Sequence, residues 1–155
     1  MSPTPQGDET RRRIMDAVRN NPGIHKKEIC GAVGMGWGTI EYQVVALRKA
    51  KLLQLHNYRG ETNCFDIGVP EEEVRWFQGL RVRHAREIIR VLDKEGELRA
   101  HVIADGLEKS RKIIRNSLKH MHNRTLVSKR GGRNALYGLP RRARAWLGSR
   151  AFLPR

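Results

Sequence analysis

The feature that most constrains the fold of this chain is an internal repeat with a spacing of 74 residues. Sliding the sequence over itself by this spacing, without a gap, places apolar residues on apolar residues. The aligned pairs are Ile14 and Ile88, Val18 and Leu92, Ile24 and Leu98, Ile29 and Ile103, Val33 and Leu107, Ile40 and Ile114, Val44 and Leu118, Leu47 and Met121, Leu52 and Leu126, and Leu53 and Val127. Because unrelated segments rarely keep so many apolar positions in one register, the repeat predicts two copies of one supersecondary unit.

Each copy shows the same order of predicted elements. A first helix over 9–19, or 82–94, ends in a turn that contains Pro or Gly, "NNPG" or "EGE". A second helix, "HKKEICGAV" or "RAHVIADGL", and a third, "TIEYQVVALRKA" or "RKIIRNSLKHMHN", follow after a short turn. The copies end in "LLQLHNYRGETNCFDI" and "LVSKRGGRNALYGL", a pattern typical of two strands around a Gly-containing tip. Three helices and a hairpin predict a mainly α fold with small β-wings, made of two tandem winged-helix domains.

The predicted boundaries follow from the repeat. They are a flexible N-terminus over 1–8, a first domain over 9–67, a linker or short helix over 68–80, a second domain over 81–139 and a basic C-terminal extension over 140–155. In the linker, Pro70 and the three glutamates after it favour the start of a helix. We expect its apolar residues to pack the two domains together or to bind another chain.

The charge of the chain is concentrated in its second half. Residues 1–80 carry 11 Lys and Arg against 10 Asp and Glu, whereas residues 81–155 carry 20 against 6. After Glu108 there are 14 basic residues and no acidic one. Such a block predicts a polyanionic partner, and nucleic acid is the first candidate.

Neither a membrane nor secretion is expected. No apolar run approaches the roughly 20 residues that cross a bilayer, and we find no helix that combines a basic face with an exposed apolar one. The start of the chain, "MSPTPQGDET", lacks the basic and apolar regions of a secretory signal. The expected location is the cytoplasm, in association with the nucleoid.

The third helix of the second copy separates apolar from basic residues. At about 100° per residue, Ile113, Ile114, Leu118 and Met121 share one side of this helix. The opposite side carries Arg111, Lys112, Arg115, Asn116, Lys119 and His122. Ser110 is a suitable N-cap. Since the apolar side must pack on the other helices, the basic side is free to enter a major groove, where Asn116 is able to bind adenine.

Two neighbouring segments add further cations. The hairpin tip "SKRGGRN" carries Lys129, Arg130 and Arg133. The segment "PRRARAWLGSR" carries Arg141, Arg142 and Arg144, on a predicted short helix that starts at Pro140. Three elements that are basic together predict contact with one nucleic acid, through about 6 to 8 phosphates.

The segment "NNPGIHKKEICGAVGMGWGTIEYQVVALRKAKLL" resembles the winged helix-turn-helix of small prokaryotic transcription regulators related to the ArsR and MarR groups. The resemblance covers nearly all of the first copy and, through the repeat, residues 82–139. It implies a DNA-binding protein in which the third helix is the recognition helix and the hairpin is the wing. The chain departs from those families in having two fused copies and no evident effector domain.

The third helix of the first copy has a nearly neutral outward face. That face carries Trp37, Glu41, Tyr42, Val45 and Arg48. Two hypotheses remain open for it. Thr39, Tyr42 and Gln43 lie near the base-contacting positions of the resembling regulators, and Arg59 at the wing tip, matched by Arg133, favours DNA. Exposed aromatic residues are also typical of a surface for a protein partner or for self-association.

No enzymatic chemistry is predicted. The six histidines and two cysteines do not have the spacing of a zinc site, and His120 and His122 diverge on their helix. Cys30 and Cys64 are expected to be small core residues. The sequence shows no phosphate-binding Gly-rich loop, no pair of catalytic carboxylates and no nucleophile arrangement. We therefore expect no metal and no cofactor.

The favoured interpretation is a small transcription regulator that binds double-stranded DNA. In this interpretation the second domain supplies most of the affinity and the first contributes to sequence readout. Two alternatives remain. One is a nucleoid protein that coats DNA with little sequence preference, and the other is a winged-helix scaffold in a nucleic-acid assembly. RNA is a further alternative ligand, because positive charge alone does not distinguish the two nucleic acids.

Overall fold

The computed structural model describes the backbone of residues 5–150 and the side chains of residues 7–150. Residues 1–4 of the predicted flexible N-terminus and residues 151–155 of the predicted extension lie outside the described residues. The chain divides into two compact units, Met1–Val74 and Arg75–Arg155. None of the helices in the described part of the chain has the length and hydropathy needed to span a bilayer.

The first unit contains three helices and a three-stranded sheet. Its elements are α1 (Pro5–Asn20), β1 (Ile24–His25), α2 (Lys26–Val33), α3 (Trp37–Lys49), β2 (Leu53–Tyr58) and β3 (Glu61–Asp66). Helix α4 (Glu71–Leu80) begins at the end of this unit and continues into the next. The second unit adds α5 (Ala85–Glu95), β4 (Leu98–Arg99), α6 (Ala100–Leu107), α7 (Arg111–Asn123), β5 (Ser128–Arg130), β6 (Leu136–Gly138) and α8 (Arg141–Ser149). The predicted fold class, mainly α with small β-wings in two winged-helix units, is confirmed.

The repeat of the sequence is a repeat of the structure. Strands β1 and β4, helices α2 and α6, and helices α3 and α7 each begin and end 74 residues apart. Ile40 and Ile114, and likewise Val44 and Leu118, are fully buried. One aligned pair differs, because Leu126 is buried whereas Leu52 is 45% exposed. The side chain of Leu126 packs closely on Gly79 of α4, which covers it.

Each sheet contains a short strand that the sequence pattern did not predict. In the first unit the strand order is β1-β3-β2, and β1 pairs antiparallel with β3 so that Ile24 faces Cys64. In the second unit the order is β4-β6-β5, and Leu98 of β4 faces Tyr137. The strands β1 and β4 are only two residues long, which is too short to show an alternating pattern. They tie the start of α2 or α6 to the wing.

Two helix starts differ from the sequence-based prediction. Helix α1 begins at Pro5 rather than Glu9, and Asp8 in its first turn interacts favourably with the helix dipole. Part of the segment predicted to be flexible is therefore helical. Helix α5 begins at Ala85 rather than Val82, because His84 adopts a left-handed conformation with φ of 62°. A left-handed residue interrupts a right-handed helix.

The second unit has an aromatic cluster that joins α4 to α8. Trp146 lies 5.2 Å from Trp76 and 4.8 Å from Phe77, measured between ring centroids. Trp76 Nε1 donates a hydrogen bond to the carbonyl oxygen of Thr125 at 3.2 Å. The guanidinium of Arg150 lies 5.1 Å from the centroid of Phe77. The apolar residues of the predicted linker thus pack within the second unit, and α8 belongs to the core of that unit.

Candidate nucleic-acid interface

Helix α7 is held by its apolar side and exposes its basic side. Ser110 is its N-cap, as predicted, and the hydroxyl accepts a hydrogen bond from the backbone N–H of Ile113 at 3.4 Å. Ile114, Leu118 and Met121 are fully buried. The exposed residues of the helix are Arg111, Lys112, Arg115, Asn116, Lys119, His122 and Asn123. The helix contains no acidic residue, so its exposed face is positive along its length.

Arg111 is the one cation of this face that is held by an acidic residue among the described residues. Its Nε donates to Asp105 Oδ1 at 3.1 Å, and its Nη2 donates to Asp105 Oδ2 at 2.8 Å. These hydrogen bonds lower the pKa of the Asp105 carboxyl below its usual value. Asp105 lies on α6, so the pair joins the last turn of one helix to the first turn of the next.

The wing of the second unit brings further cations beside α7. Strands β5 and β6 are connected by the loop 131–135, in which Gly131 has a φ of 94° that favours glycine. Lys129 and Arg133 are exposed. Arg130 pairs with Glu97, with its Nε and its Nη2 each 3.2 Å from a carboxylate oxygen. The wing thus repeats, on a strand, the kind of arginine–carboxylate pair found at the start of α7.

A groove of about 440 Å³ separates the start of α7 from the wing loop. Its basic lining comes from Arg111 and Arg115 of α7 and from Arg133 of the wing loop. The rest of the lining is Ala100, His101, Gly132, Asn134, Ala135 and Tyr137. Arg99 donates a hydrogen bond to the carbonyl oxygen of Asn134 and holds the loop in place. The groove gives a phosphodiester strand room beside three guanidinium groups, which pair well with phosphate oxygens.

Helix α8 presents its arginines differently. Arg141, Arg142 and Arg144 are all exposed. Arg144 Nη2 is 3.3 Å from a carboxylate oxygen of Asp93 on α5, so part of its charge is compensated within the unit. The opposite side of α8 is buried through Ala143, Trp146 and Leu147. The three arginines are therefore carried by a packed helix.

The first unit presents fewer charges. Trp37 and Tyr42 are 51% and 64% exposed, and Thr39 is exposed too. Glu41 accepts a hydrogen bond from Lys26 Nζ at 2.9 Å. Arg59 lies at the tip of the hairpin, where it and the glycine after it both have positive φ, as a two-residue type I′ turn requires.

The placement of Gln43 corrects the sequence-based interpretation. The hypothesis that Gln43 contacts bases requires an exposed amide, but this side chain is only 8% exposed. Its Oε1 accepts a hydrogen bond from Arg11 Nε at 2.8 Å. Gln43 therefore links α3 to α1. Among the candidate residues of the first unit, Trp37, Thr39, Tyr42 and Arg59 remain on the surface.

The structure brings some of the predicted site residues together and adds others. Arg111, Arg115 and Arg133 line one groove, whereas Lys119 lies further along α7. Sequence reasoning missed the two acidic partners, Asp105 and Glu97. The only signal was their rarity, because residues 81–155 contain just 6 acidic residues. It also missed the groove residues His101, Asn134 and Tyr137, which meet only when β4 pairs with β6.

The two cysteines have a structural environment. Cys64 is fully buried in the first unit, and Cys30 is half-buried against the same core. Burial raises the pKa of the Cys64 thiol to about 12. Within the described residues, no group of three or more His, Cys, Asp or Glu side chains is placed to hold a metal ion.

We expect the Cys64 thiol to be inert in the folded protein. The rise of its pKa from 9.0 to about 12 lowers the thiolate fraction at a given pH by about 10³-fold. In a Cys30→Ser variant, Ellman's reagent should therefore titrate no thiol at pH 8 until urea is added, and one thiol after unfolding. A Cys64→Ser variant, which keeps the half-buried Cys30, is the control and should react in the folded state. Rapid labelling of Cys64 without denaturant would contradict this prediction.

Comparison with known proteins supports the assignment of the first unit. Residues 7–54 match a protein-family model described as winged helix-turn-helix DNA-binding. No curated protein sequence matches the chain.

Among solved structures, the chain is similar to the mRNA-binding domain of the elongation factor SelB from E. coli in complex with SECIS RNA. The identity is 11% and the TM-score 0.33, over 84% of this chain and 97% of that one. It is also similar to the endosomal complex ESCRT-II, with 13% identity and a TM-score of 0.34, over 92% of this chain and 67% of the other.

Proposed function

We propose that the chain binds double-stranded DNA, mainly through its second unit, and acts as a small transcription regulator associated with the nucleoid. The observation that carries this proposal is the convergence of unpaired cations on α7 and the wing. Within residues 7–150, the side chains of Arg115, Lys119 and Arg133 form no ion pair with an acidic residue. Their charge is therefore available to phosphates, and no acid on α7 opposes it.

The geometry supports docking of α7 in a major groove. A helix whose apolar side is fixed in a small core can present its opposite side to base edges and to the flanking backbone. Lys112, Arg115 and Lys119 would then contact phosphates, and Asn116 would contact a base. The groove between α7 and the wing would hold one backbone strand, so that Arg133 and Lys129 follow it from the other side.

The first unit would contribute sequence readout. It matches a DNA-binding family model over 7–54, and Trp37, Thr39 and Tyr42 are exposed on and near the start of its third helix. The same aromatic exposure favours a second candidate function for this unit, contact with a protein partner, because aromatic residues are common anchors of protein interfaces. In both cases the affinity for nucleic acid comes mainly from the second unit.

A salt titration tests DNA binding directly. The wild-type chain is titrated with a fluorescent mixed-sequence DNA duplex between about 50 and 200 mM salt, and the anisotropy gives the association constant at each concentration. If 6 to 8 phosphates are contacted, log K should fall against log salt with a slope of about −5 to −7. An absence of binding, or a slope near zero, would contradict the proposal.

The same assay separates the related functions. An unlabelled random-sequence duplex and an RNA duplex of the same sequence serve as competitors. A regulator should prefer its selected site over random DNA by roughly 10³-fold or more, whereas a DNA-coating protein should show little preference. More effective competition by the RNA duplex would move the assignment to RNA.

A further inference from the structure

The Arg111–Asp105 pair has a geometry that leaves one edge of the guanidinium available. The pair is side-on, because it uses Nε and Nη2 of Arg111, at 3.1 and 2.8 Å from the two carboxylate oxygens. A guanidinium carries five N–H donors in one plane, and this pairing occupies two of them. The two hydrogens of Nη1 and the second hydrogen of Nη2 remain, and they form a fork on the outer edge of the group.

This outer fork has the donor arrangement that guanine accepts. In the major groove, guanine presents O6 and N7 as two adjacent acceptors, and arginine binds them bidentately. Arg111 is the first residue of α7 and is exposed. The first residues of a recognition helix are those that contact base edges. The side chain therefore has the free donors of a guanine contact at the position on the helix where such contacts are made.

The carboxylate would be counterproductive at a site that only binds phosphate. Asp105 is exposed and ionised beside Arg111, so it opposes any phosphate that approaches this side chain. Its contribution is orientation, because it fixes the plane of the guanidinium from a residue on the preceding helix. An arginine that is already oriented loses less conformational freedom when it binds. Arg115 and Arg133, which line the same groove, are not restrained by an acid within the described residues.

We propose that Arg111, oriented by Asp105, is a specificity residue that binds a guanine in the major groove. This inference rests on the proposed function and deepens it, because it assigns base readout to one arginine of an otherwise phosphate-binding surface. Asp105 is a positioning residue, since it acts through Arg111. The division of labour is testable because base readout and phosphate binding respond differently to substitution.

The experiment compares base preferences selected from a random duplex DNA pool. Wild type should enrich a motif with guanine at one position. Arg111→Lys keeps the charge but loses the bidentate fork, so it should lose that preference by roughly 10-fold or more, while its affinity for mixed-sequence duplex changes by less than about 3-fold. Asp105→Ala should weaken the same preference and at the same time raise mixed-sequence affinity, because a negative charge is removed.

Glu97→Ala is the matched control for the loss of charge. Glu97 holds Arg130 on the wing through the same kind of side-on pair, so its removal should raise mixed-sequence affinity without changing preference at the Arg111-dependent position. Circular dichroism of each variant checks that the exposed substitutions leave the fold intact.

The outcomes separate this inference from the proposed function. Motifs of Arg111→Lys and Asp105→Ala that equal the wild-type motif would overturn the role of Arg111. Duplex binding with the expected salt slope but without a guanine in the selected motif would overturn it as well, and would leave DNA binding in place. A chain that does not bind duplex DNA would overturn both.

Discussion

Replacement of Arg115 and Lys119 together by alanine is expected to weaken binding to duplex DNA by roughly 100-fold or more, equivalent to about 3 kcal/mol. Both side chains are exposed on α7, one turn apart. Each hydrogen bond to a charged group is worth about 1.5–3 kcal/mol. The slope of log K against log salt should become flatter by about 2 units, since two phosphate contacts are lost. Anisotropy titrations at several salt concentrations measure both quantities.

The chain contains a matched control for this double variant. Arg90 and Lys94 on α5 are the same two residue types at the same spacing, and both are exposed. Their replacement by alanine removes the same charge from the same unit but leaves α7 and the wing unchanged. It should change the affinity and the salt slope much less. If the two double variants weaken binding equally, the net charge of the unit and not a defined surface binds the DNA.

The two third helices show why packing alone does not account for the basic face. Helices α3 and α7 bury equivalent residues, because Ile40, Val44 and Leu47 occupy the positions of Ile114, Leu118 and Met121. At the positions of Arg115 and Lys119, however, α3 carries Glu41 and Val45. The same winged-helix core is thus compatible with a neutral or a basic outer surface. The cations of α7 are not needed for folding, and this supports their assignment to a ligand.

The fold was predictable from the sequence because the core positions repeat. Burial of an apolar face depends mainly on the spacing of apolar residues along the chain, and this spacing recurs at 74 residues. The bounds of α2 and α6, and of α3 and α7, differ by that spacing at both ends. The hairpin tips were also visible, since "RG" and "GG" mark sharp turns.

The details of the candidate site depend on contacts between elements, which spacing does not encode. A helical wheel places Gln43 near the exposed arc of α3, but Arg11 on α1 accounts for its amide oxygen. The side-on pair of Asp105 and Arg111 requires the angle of the turn between α6 and α7. Strands β1 and β4 form only because β3 and β6 offer an open edge beside them.

Replacement of Trp146 by alanine is expected to destabilise the second unit by about 3–5 kcal/mol. Trp146 is only 8% exposed and packs against Trp76 and Phe77. Such a loss is a large fraction of the roughly 5–15 kcal/mol that stabilises a typical domain. Native-state amide hydrogen exchange resolves the units separately. Protection should fall for the amides of α5 and α7 and stay unchanged for those of α1 and α3.

Trp37 provides the matched control, because it is the same residue type on the surface of the first unit, with 51% of its area exposed. Trp37→Ala should cost less than about 1 kcal/mol. The comparison decides how residues 140–150 are held. If α8 were a basic extension outside the core, Trp146→Ala would cost no more than Trp37→Ala. A large difference would instead mean that Arg141, Arg142 and Arg144 are presented by a helix whose position is fixed by the aromatic cluster, so that loss of Trp146 should also weaken DNA binding.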